Sequence, residues 1–389
     1  MNILTGYEDL GVSPLLENNQ IAKRCRYLNP HSTIWPMGYG LITSSYKYKH
    51  KKPIVNNNNF DTLPEEVILH IFKMLDKRTL TKCAYVCSQW HRIAYDESLW
   101  QCLNIPCRRM STIALDNLLK RNIKFLSLSH ANIYVDTVYT FETPLPKLQY
   151  LDMSAVFIKV DILNSLLKQC CNLVKLSLEN CQVNHACCEN IGRNTKLKVL
   201  NVASTSGLDN VGLKHILSLK NLEELNISWA HLNNTDLHFL LANMVPSMKR
   251  LNISGFLKQL ADYDLISLVS CCPHLIELDI SDSLSITATS LDYILNNQSN
   301  LKVLSMSRCY NVGSTFLQSN ALRMKIINNS THHLKELNVF GIINQLSFNF
   351  FCDNLLDFEV NKSIFSSIAR PKLADNENTI WEIPICIDC

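Results

Sequence analysis

The sequence predicts an α/β protein in which a short unit of three helices precedes a solenoid of about ten repeats and a C-terminal tail. Two observations lead to this prediction. Apolar residues recur at helical spacing between residues 62 and 90, and a motif of the form Leu-x-x-Leu-x-aliphatic recurs about every 25 residues from Ile123 onward. Hydrophobic residues make up 47% of the 389-residue chain, which is enough to bury an extensive core.

The first 59 residues show little periodicity, and we predict that residues 1–59 form a largely disordered extension. Basic residues are concentrated in residues 23–26 and 47–52. Such runs act either as nuclear-import signals or as a solubilising linker, and we expect a protein of the nucleus and cytoplasm.

The helical unit begins near Thr62, which is expected to cap the first helix while Glu65 closes a capping box. Pro64 fits the first turn, where its missing N–H is not needed. The apolar faces of the first two helices comprise Val67, Ile68, Ile71, Phe72 and Leu75, and then Leu80, Cys83, Ala84, Cys87 and Trp90. A unit of about 45 residues is too small to be securely stable alone. It therefore either docks on a partner or caps the open end of the solenoid.

The repeated motif starts at ten positions: Ile123, Leu148, Leu173, Leu197, Leu222, Met248, Leu275, Leu301, Leu334 and Leu355. Most spacings fall in the window of roughly 20–29 residues that is typical of leucine-rich repeats, each a strand with a returning helix. In residues 224–228, Leu225 and Ile227 point inward because side chains alternate along a strand. One repeat cannot bury this apolar face alone, so neighbouring repeats must stack.

The chain has sixteen cysteines, and several cluster at equivalent places in the repeats, as in residues 170–171 and 271–272. The N-terminus lacks the basic and apolar regions of a secretion signal, so we expect free thiols in a reducing compartment. Metal binding is the alternative interpretation. However, Cys386 and Cys389 form a Cys-x-x-Cys pair with no second pair to complete four ligands. We therefore expect no metal and no other cofactor.

Other functional classes find little support in the sequence. It has no run of about 18 apolar residues, so we expect no membrane partner. The net charge of +3 is too weak to indicate a nucleic-acid partner. There is no glycine-rich phosphate loop, nucleophile elbow or His-Glu-x-x-His motif. A solenoid surface rarely forms a catalytic pocket, and we predict that the chain is not an enzyme.

Three features of the helical unit, Leu63-Pro64, Trp90 and Ser98-Leu99-Trp100, resemble the F-box pattern. F-boxes dock on the small adaptor of cullin-based SCF ubiquitin ligases, so the resemblance implies that the adaptor and the cullin scaffold are partners. It also implies an F-box over residues 60–104 that Leu99 and Trp100 join to the first repeat. The implied adaptor-binding residues are Leu63, Pro64, Ile68, Ile71, Phe72, Leu75, Val86 and Trp90.

The repeats and the tail resemble those of the S-phase kinase-associated F-box protein family. The resemblance rests on residues 251–260, 278–283, 304–310, 339–342, 365–371 and 380–383. It implies a leucine-rich-repeat solenoid over residues 105–362 and a tail over residues 363–389 that folds along the concave face. Residues 10–13 resemble a cyclin-binding segment of the family, so a cyclin is a further implied partner.

This family provides substrate-recognition subunits of SCF E3 ubiquitin ligases. With a small cyclin-kinase-subunit accessory protein, it presents phosphorylated cell-cycle regulators, principally cyclin-dependent-kinase inhibitors, for ubiquitination and proteasomal degradation. The resemblance implies that this chain is such a non-catalytic receptor. Two alternatives remain: an F-box receptor for other phosphorylated substrates, and a leucine-rich-repeat scaffold outside the ligase.

One position directly follows each strand of the C-terminal repeats, and it holds Trp229, Gly255, Asp282, Arg308 and Gly341. Strands stack about 4.8 Å apart, so Trp229 and Arg308 are separated by only about 15 Å. The resemblance implies that the accessory protein and the substrate bind here, through Trp229, Lys258, Asp282, Arg308 and Phe340. The chain departs from the family at Leu257, which stands in place of an arginine and bears on substrate choice.

Overall fold

The computed structural model describes residues 59–135, 139–312, 334–343, 349, 359–372 and 379–384. The chain divides into two compact units, residues 1–54 and 55–389, and every described residue belongs to the second. The predicted disorder up to residue 58, the two basic runs and residues 10–13 therefore lie outside the described residues.

The described chain begins with three short helices: α1 (Glu65–Phe72), α2 (Lys77–Cys83) and α3 (Ser88–Ala94). Turns of 3-10 helix flank them at Asn59–Thr62 and Glu97–Leu99. Each helix turns one face inward, and this buries Ile68, Phe72, Leu80 and Ile93. Trp90 packs edge-to-face on Phe72 with ring centroids 5.3 Å apart, so an aromatic pair closes this small core.

The start of α1 differs from the prediction. Thr62 lies in the preceding 3-10 turn, and the N-cap position is Pro64, which makes no side-chain cap hydrogen bond. The prediction that Thr62 is the N-cap of α1 is therefore wrong. Glu65 instead forms an ion pair with Arg92 of α3, so this acid ties two helices together.

The remainder is a solenoid of short strands and helices. The strands are β1 (Cys102–Asn104), β2 (Arg109–Ser111), β3 (Phe125–Ser127), β4 (Asn132–Tyr134), β5 (Tyr150–Asp152), β6 (Lys175–Ser177), β7 (Val199–Asn201), β8 (Glu224–Asn226), β9 (Arg250–Asn252), β10 (Leu257–Ala261), β11 (Glu277–Asp279), β12 (Ser283–Ser285), β13 (Val303–Ser305), β14 (Glu336–Asn338), β15 (Glu359–Val360), β16 (Thr379–Ile380) and β17 (Ile383–Pro384). Eleven of these described strands form one parallel sheet in the order β1-β3-β5-β6-β7-β8-β9-β11-β13-β14-β15. The others pair as β2 with β4, β10 with β12, and β16 with β17.

The sheet confirms the spacing argument. The central leucines of successive strands lie opposite one another, as Leu200 does to Leu225 and Leu225 to Leu251, and all three are fully buried. One strand of this sheet was not predicted. β1 falls inside residues 60–104, which we assigned to the helical unit, yet its Leu103 pairs with Leu126 of β3.

Helices α4 (Thr112–Leu119), α5 (Val160–Gln169), α6 (His185–Gly192), α7 (Asn210–Leu217), α8 (Asn234–Ala242), α9 (Asp262–Cys271) and α10 (Ala288–Asn297) return the chain between strands. Three neighbouring helices start for the same local reason. Asn184, Asp209 and Asn233 each accept a hydrogen bond from a backbone N–H of the first turn. Short polar residues thus fix where α6, α7 and α8 begin.

A left-handed backbone position recurs three residues after the end of each main-sheet strand from β1 to β14. It is occupied by Cys107, His130, Ala155, Asn180, Ser204, Trp229, Gly255, Asp282, Arg308 and Gly341, all with φ between +53° and +86°. The N–H of each residue before Gly341 donates to a carbonyl of the next repeat, as Trp229 does to Ser254 over 3.0 Å and Asp282 to Ser307 over 2.9 Å. We call this row the left-handed column. Its main-chain bonds fix the position whatever side chain it carries.

Buried cysteines bond to neighbouring repeats. The Sγ of Cys181 donates to the Met153 carbonyl over 3.1 Å, and that of Cys309 donates to the Ile280 carbonyl over 3.3 Å. The twelve cysteines within the described residues are free thiols. In these two cases the thiol fills a tight turn and satisfies a carbonyl of the preceding repeat.

Leu99 and Trp100 join the helical unit to the solenoid. Both are buried, and the indole N–H of Trp100 donates to the Ala94 carbonyl over 2.8 Å. The guanidinium of Arg121, just after α4, lies 4.9 Å from the Trp100 ring centroid. The predicted role of Leu99 and Trp100 at this junction is confirmed.

The tail folds along the concave face, as predicted. From β15 it passes Asn338, whose Oδ1 accepts from the N–H of Ser363 over 3.1 Å. It then crosses Asn226 of β8, whose Nδ2 donates to the Ile368 carbonyl over 3.2 Å. Trp381 finally packs against Phe125 of β3, with ring centroids 6.4 Å apart. The described tail residues thus run from the last strands of the sheet back to the first.

Candidate functional site

The column of the C-terminal repeats carries an exposed tryptophan on a glycine. Trp229 is 43% exposed, and its ring lies over Gly255 of the next repeat. A Cβ atom at Gly255 would stand 2.3 Å from Cδ2 of Trp229, far inside van der Waals contact. The absence of a side chain at Gly255 therefore allows the indole ring to lie against the backbone, and we call this position of the ring its seat.

Two repeats further along the column, Arg308 pairs with Asp282. Nε of Arg308 donates to Oδ1 over 2.5 Å and Nη2 donates to Oδ2 over 2.6 Å, a bidentate geometry. The bonds to Asp282 raise the pKa of Arg308 above its already high value, so the guanidinium stays charged. Gly341 follows in the column, and a Cβ there would lie 3.4 Å from Cγ of Arg308. This arginine is thus held in place while part of it remains at the surface.

The other predicted binding residues surround this pair. Lys258 is exposed on β10, beside Leu257, which is 38% exposed and has a positive φ of 43°. Phe340 is half-buried, and its carbonyl accepts from the N–H of Arg308 over 2.8 Å. The structure therefore brings Asp282, Arg308 and Phe340 into one connected group. Which partners these residues bind stays a prediction.

A buried acid lies beneath this edge. Asp279 on β11 accepts from the N–H of Ser281 over 2.9 Å. Burial raises the pKa of Asp279 to about 6, and the nearby charges of Asp282 and Glu277 add to the rise although bonds from Ser281 oppose it. In the neighbouring repeat Asn252 occupies the equivalent place and accepts from Ser254 over 3.0 Å. An asparagine amide is thus able to accept the same hydrogen bond as Asp279, which is a titratable carboxyl group at this position.

The helical unit presents a separate apolar surface. Val67, Ile71, Met74, Tyr85 and Val86 are large hydrophobic residues that are exposed, with Met74 at 76% and Tyr85 at 73%. Phe60 and Tyr95 are exposed as well, and a unit of this size with seven exposed large hydrophobic side chains is suited to docking on a partner. Sequence reasoning missed Met74 and Tyr85, because both fall outside the stripes that helical spacing selected.

The predicted adaptor-binding residues divide by exposure. Ile71, Val86 and Pro64 are exposed, whereas Leu63, Leu75 and Trp90 are half-buried. Ile68 and Phe72 have at most 1% of their surface exposed, so the structure places them in the core of the unit. In this structure those two side chains support the exposed surface from within.

The chemistry of these surfaces is that of binding. Among the described residues, no group of three or more His, Cys, Asp and Glu side chains is arranged to hold a metal ion. None of the helices in the described part of the chain is long and apolar enough to cross a membrane. The exposed side chains at both surfaces offer an aromatic plate, a fixed guanidinium and apolar contact area.

Solved structures of other repeat proteins resemble this chain at low identity. Internalin C2 of Listeria monocytogenes is 19% identical, with a TM-score of 0.40, and the match covers 59% of this chain and 91% of that one. An internalin (inlF) of the same organism is 15% identical, with a TM-score of 0.36 and coverage of 69% and 89%. The mouse RP105/MD-1 complex is 18% identical, with a TM-score of 0.36 and coverage of 60% and 36%.

Family models match both parts of the described unit. The F-box-like model matches residues 60–106, and the model of the SKP2 LRR domain matches residues 113–387. An F-box implies an SCF adaptor and a cullin as partners. An F-box joined to this type of repeat domain supports the role of substrate receptor of an SCF ligase. Such a receptor binds the substrate and is not the catalytic subunit. The chain belongs to the SKP2 LRR domain family and carries an F-box-like segment before the repeats.

Proposed function

We propose that the chain recognises phosphorylated cell-cycle regulators, such as cyclin-dependent-kinase inhibitors, for ubiquitination and proteasomal degradation. It does so with a small cyclin-kinase-subunit accessory protein. One observation carries the proposal: a seated, exposed Trp229 and the bidentate pair of Asp282 and Arg308 occupy one short stretch of the left-handed column.

The chemistry of this stretch suits a phosphorylated peptide and a protein partner. Exposed tryptophan and arginine are the side chains most often found as energetic anchors of interfaces. Asp282 engages two of the five guanidinium N–H groups of Arg308, and Nη1 bonds to none of the described residues. Arg308 and the exposed Lys258 together offer donors to a phosphate.

The two proposed docking surfaces do not overlap. The F-box adjoins β1, whereas Trp229 follows β8, and the strands β3 to β7 lie between them. A ligase adaptor on the helical unit and a substrate on the column are therefore able to bind at the same time. A substrate receptor needs this separation, because the receptor must bind the substrate while it is bound to the rest of the ligase.

The test measures binding of a phosphorylated inhibitor peptide to the chain in complex with the SCF adaptor, with and without the accessory protein. Trp229→Ala and Arg308→Ala should each weaken binding by about thirty-fold, equivalent to about 2 kcal/mol. Arg308→Glu should weaken it further because it places an acid beside Asp282. Asn180→Ala is the matched control, because Asn180 is an exposed residue at the same left-handed position and lies five strands before Arg308 in the sheet.

The outcomes separate the proposal from its alternatives. Alanine variants of normal thermal stability and unaltered affinity would contradict it. Capture of the adaptor without the accessory protein would indicate an F-box receptor for other phosphorylated substrates. Purification without adaptor and cullin would indicate a scaffold outside the ligase. Leu257→Arg should strengthen binding to a phosphorylated inhibitor peptide, since it adds a cation beside Lys258.

The N-terminal extension belongs to the same proposal. We expect residues 10–13 to bind a cyclin and residues 23–26 and 47–52 to direct the protein to the nucleus as well as the cytoplasm. Fluorescence imaging of the full chain, with the basic residues of each run replaced by glutamine, tests the second expectation. An unchanged distribution would mean that these runs are solubilising linkers.

A further inference from the structure

The concave face binds the tail largely through its main chain. Nδ2 of Asn226 donates to the Ile368 carbonyl over 3.2 Å, and the N–H of Ala369 donates to Oε2 of Glu224 over 3.3 Å. These are the bonds that a groove makes with an extended peptide of almost any sequence.

Two small apolar side chains of the tail are enclosed at this place. Ile368 is completely buried and Ala369 is 2% exposed, and both pack on Val199 of β7. Four residues upstream, Ile364 is 65% exposed. The groove therefore restricts the size of the side chain at positions 368 and 369, whereas it does not restrict the side chain at position 364.

Charge provides the second element of recognition. Beneath the tail lie Asp152 of β5, Glu224 of β8 and Glu179, two residues after β6, and the tail carries Arg370 and Lys372. Nη2 of Arg370 lies 3.9 Å from Oε1 of Glu179. Lys372 is near enough to Asp152 to oppose the rise in its pKa that burial causes. An acidic groove thus faces spaced basic residues.

Arg250 anchors the upstream end of the segment. Its Nη2 donates to Oγ of Ser367 over 3.0 Å, while Glu224 and Glu277 hold its other nitrogens at 3.0 and 2.7 Å. The arginine is therefore positioned by the strands and not by the tail.

The tail fits this groove incompletely. Nε of Arg370 is buried and has no hydrogen-bond partner among the described residues. The 3.9 Å separation from Glu179 is too long for a hydrogen bond. A buried donor without an acceptor costs free energy that a better-placed cation would recover.

We propose that the groove beneath the tail is a second peptide-binding site and that the tail is its resident occupant. The ligand is an extended segment of a partner protein with two small apolar residues followed by spaced basic residues, the chemistry of residues 368–372. The proposal does not depend on the function proposed for the column, which lies at the strand ends. A tethered occupant competes at an effective concentration in the millimolar range, so an external peptide binds weakly until the tail is displaced.

The test uses a fluorescein-labelled synthetic peptide of residues 363–372 and full-length chains. Ile368→Asp displaces the tail by burying a charge and leaves the groove intact, and Ala369→Glu is a second variant with the same purpose. Ile364→Asp is the matched control, since it adds the same charge to an exposed residue of the tail. Fluorescence anisotropy should show at least tenfold tighter peptide binding to the two displacing variants than to the wild-type chain or the control.

Specificity is tested in the displaced background. Glu179→Gln keeps the size of the groove side chain but removes its charge, and it should weaken peptide binding several-fold. A peptide with neutral residues in place of Arg370 and Lys372 should bind about tenfold more weakly and with less dependence on salt. The proposal is overturned if both displacing variants melt like the wild-type chain yet bind no peptide, or if binding ignores these charge changes. Failure of both variants to fold would also overturn it, because the tail would then be part of the core.

Discussion

Replacing Gly255 by alanine tests how the column holds its tryptophan. The added Cβ would lie 2.3, 2.5 and 2.6 Å from three ring atoms of Trp229, where ordinary contact begins near 3.4 Å. The indole must therefore move by about 1 Å or leave its seat. The backbone adds to the cost, because Gly255 has a φ of +86°, a conformation in which an L side chain is strained. Ala155 and Ser204 carry side chains at the equivalent position, but with φ of 53° and 54°.

The expected cost follows from this overlap. Inserting one methyl group into a packed contact destabilises a protein by about 1–3 kcal/mol. For a domain of this size that lowers the melting temperature by roughly 2–4 °C for each kcal/mol. Trp229→Ala combined with Gly255→Ala removes the clash, so the double variant should lose less stability than the two single variants together. A coupling of about 1 kcal/mol or more is expected.

Urea unfolding of the four chains, wild type, both single variants and the double variant, measures this coupling. Binding of the accessory protein should weaken in Gly255→Ala even though no binding side chain has been altered. Effects that add within about 0.5 kcal/mol would refute the reasoning. They would mean that Trp229 has another equally stable position away from Gly255.

Three further predictions concern other parts of the chain. Val86→Asp, at a side chain that is 63% exposed, should abolish adaptor capture in a pulldown and leave the melting temperature unchanged. Asp279→Asn should stabilise the chain relative to wild type as the pH rises from 4 to 7. Because the pKa of Asp279 is raised to about 6 in the folded chain, the wild type loses stability when this acid ionises. The loss in the free energy of unfolding between pH 4 and pH 7 is on the order of 2–3 kcal/mol, and unfolding at the two pH values measures it. Iodoacetamide at pH 7.5 should modify the exposed Cys87 and Cys171 in the native protein. Burial raises the pKa of Cys181 to about 12, so mass spectrometry should find it modified only after denaturation.

The architecture was predictable because one local rule repeats. An apolar residue at every second position of a short strand, recurring at a near-constant interval, leaves stacking as the only way to bury those side chains. The register of Leu200, Leu225 and Leu251 follows directly from this spacing. β1 was not predicted, because the motif around Leu103 lacks the first leucine of the repeat and adjoins the helical unit.

The inner face of a short helix is harder to predict than its existence. In α1, Val67, Ile68, Ile71 and Phe72 are all apolar, so two adjacent faces compete for the core. The structure turns Ile68 and Phe72 inward and leaves the other two exposed. Helical spacing alone does not distinguish these choices, because the decision is made by contacts with α3 across the chain.

The groove under the tail could not be predicted from sequence patterns, again because contacts between distant residues form it. Its main contacts join residues 117 to 145 positions apart in sequence, such as Arg250 with Ser367 and Glu224 with Ala369. Nothing periodic connects them. The resemblance to a family implied the path of the tail, but the polar anchors follow only from the side chains that line three neighbouring strands.

The left-handed column explains why one solenoid edge carries such varied chemistry. Main-chain bonds between repeats determine the backbone there, so histidine, asparagine, tryptophan, aspartate and arginine all occupy it at nearly the same φ. The side chain contributes little to the fold at this position and is free to serve binding. Glycine has a different use in the column, since Gly255 makes room for the ring of Trp229 in the preceding repeat. Large side chains and an empty position thus turn a row of structurally equivalent residues into a shaped surface.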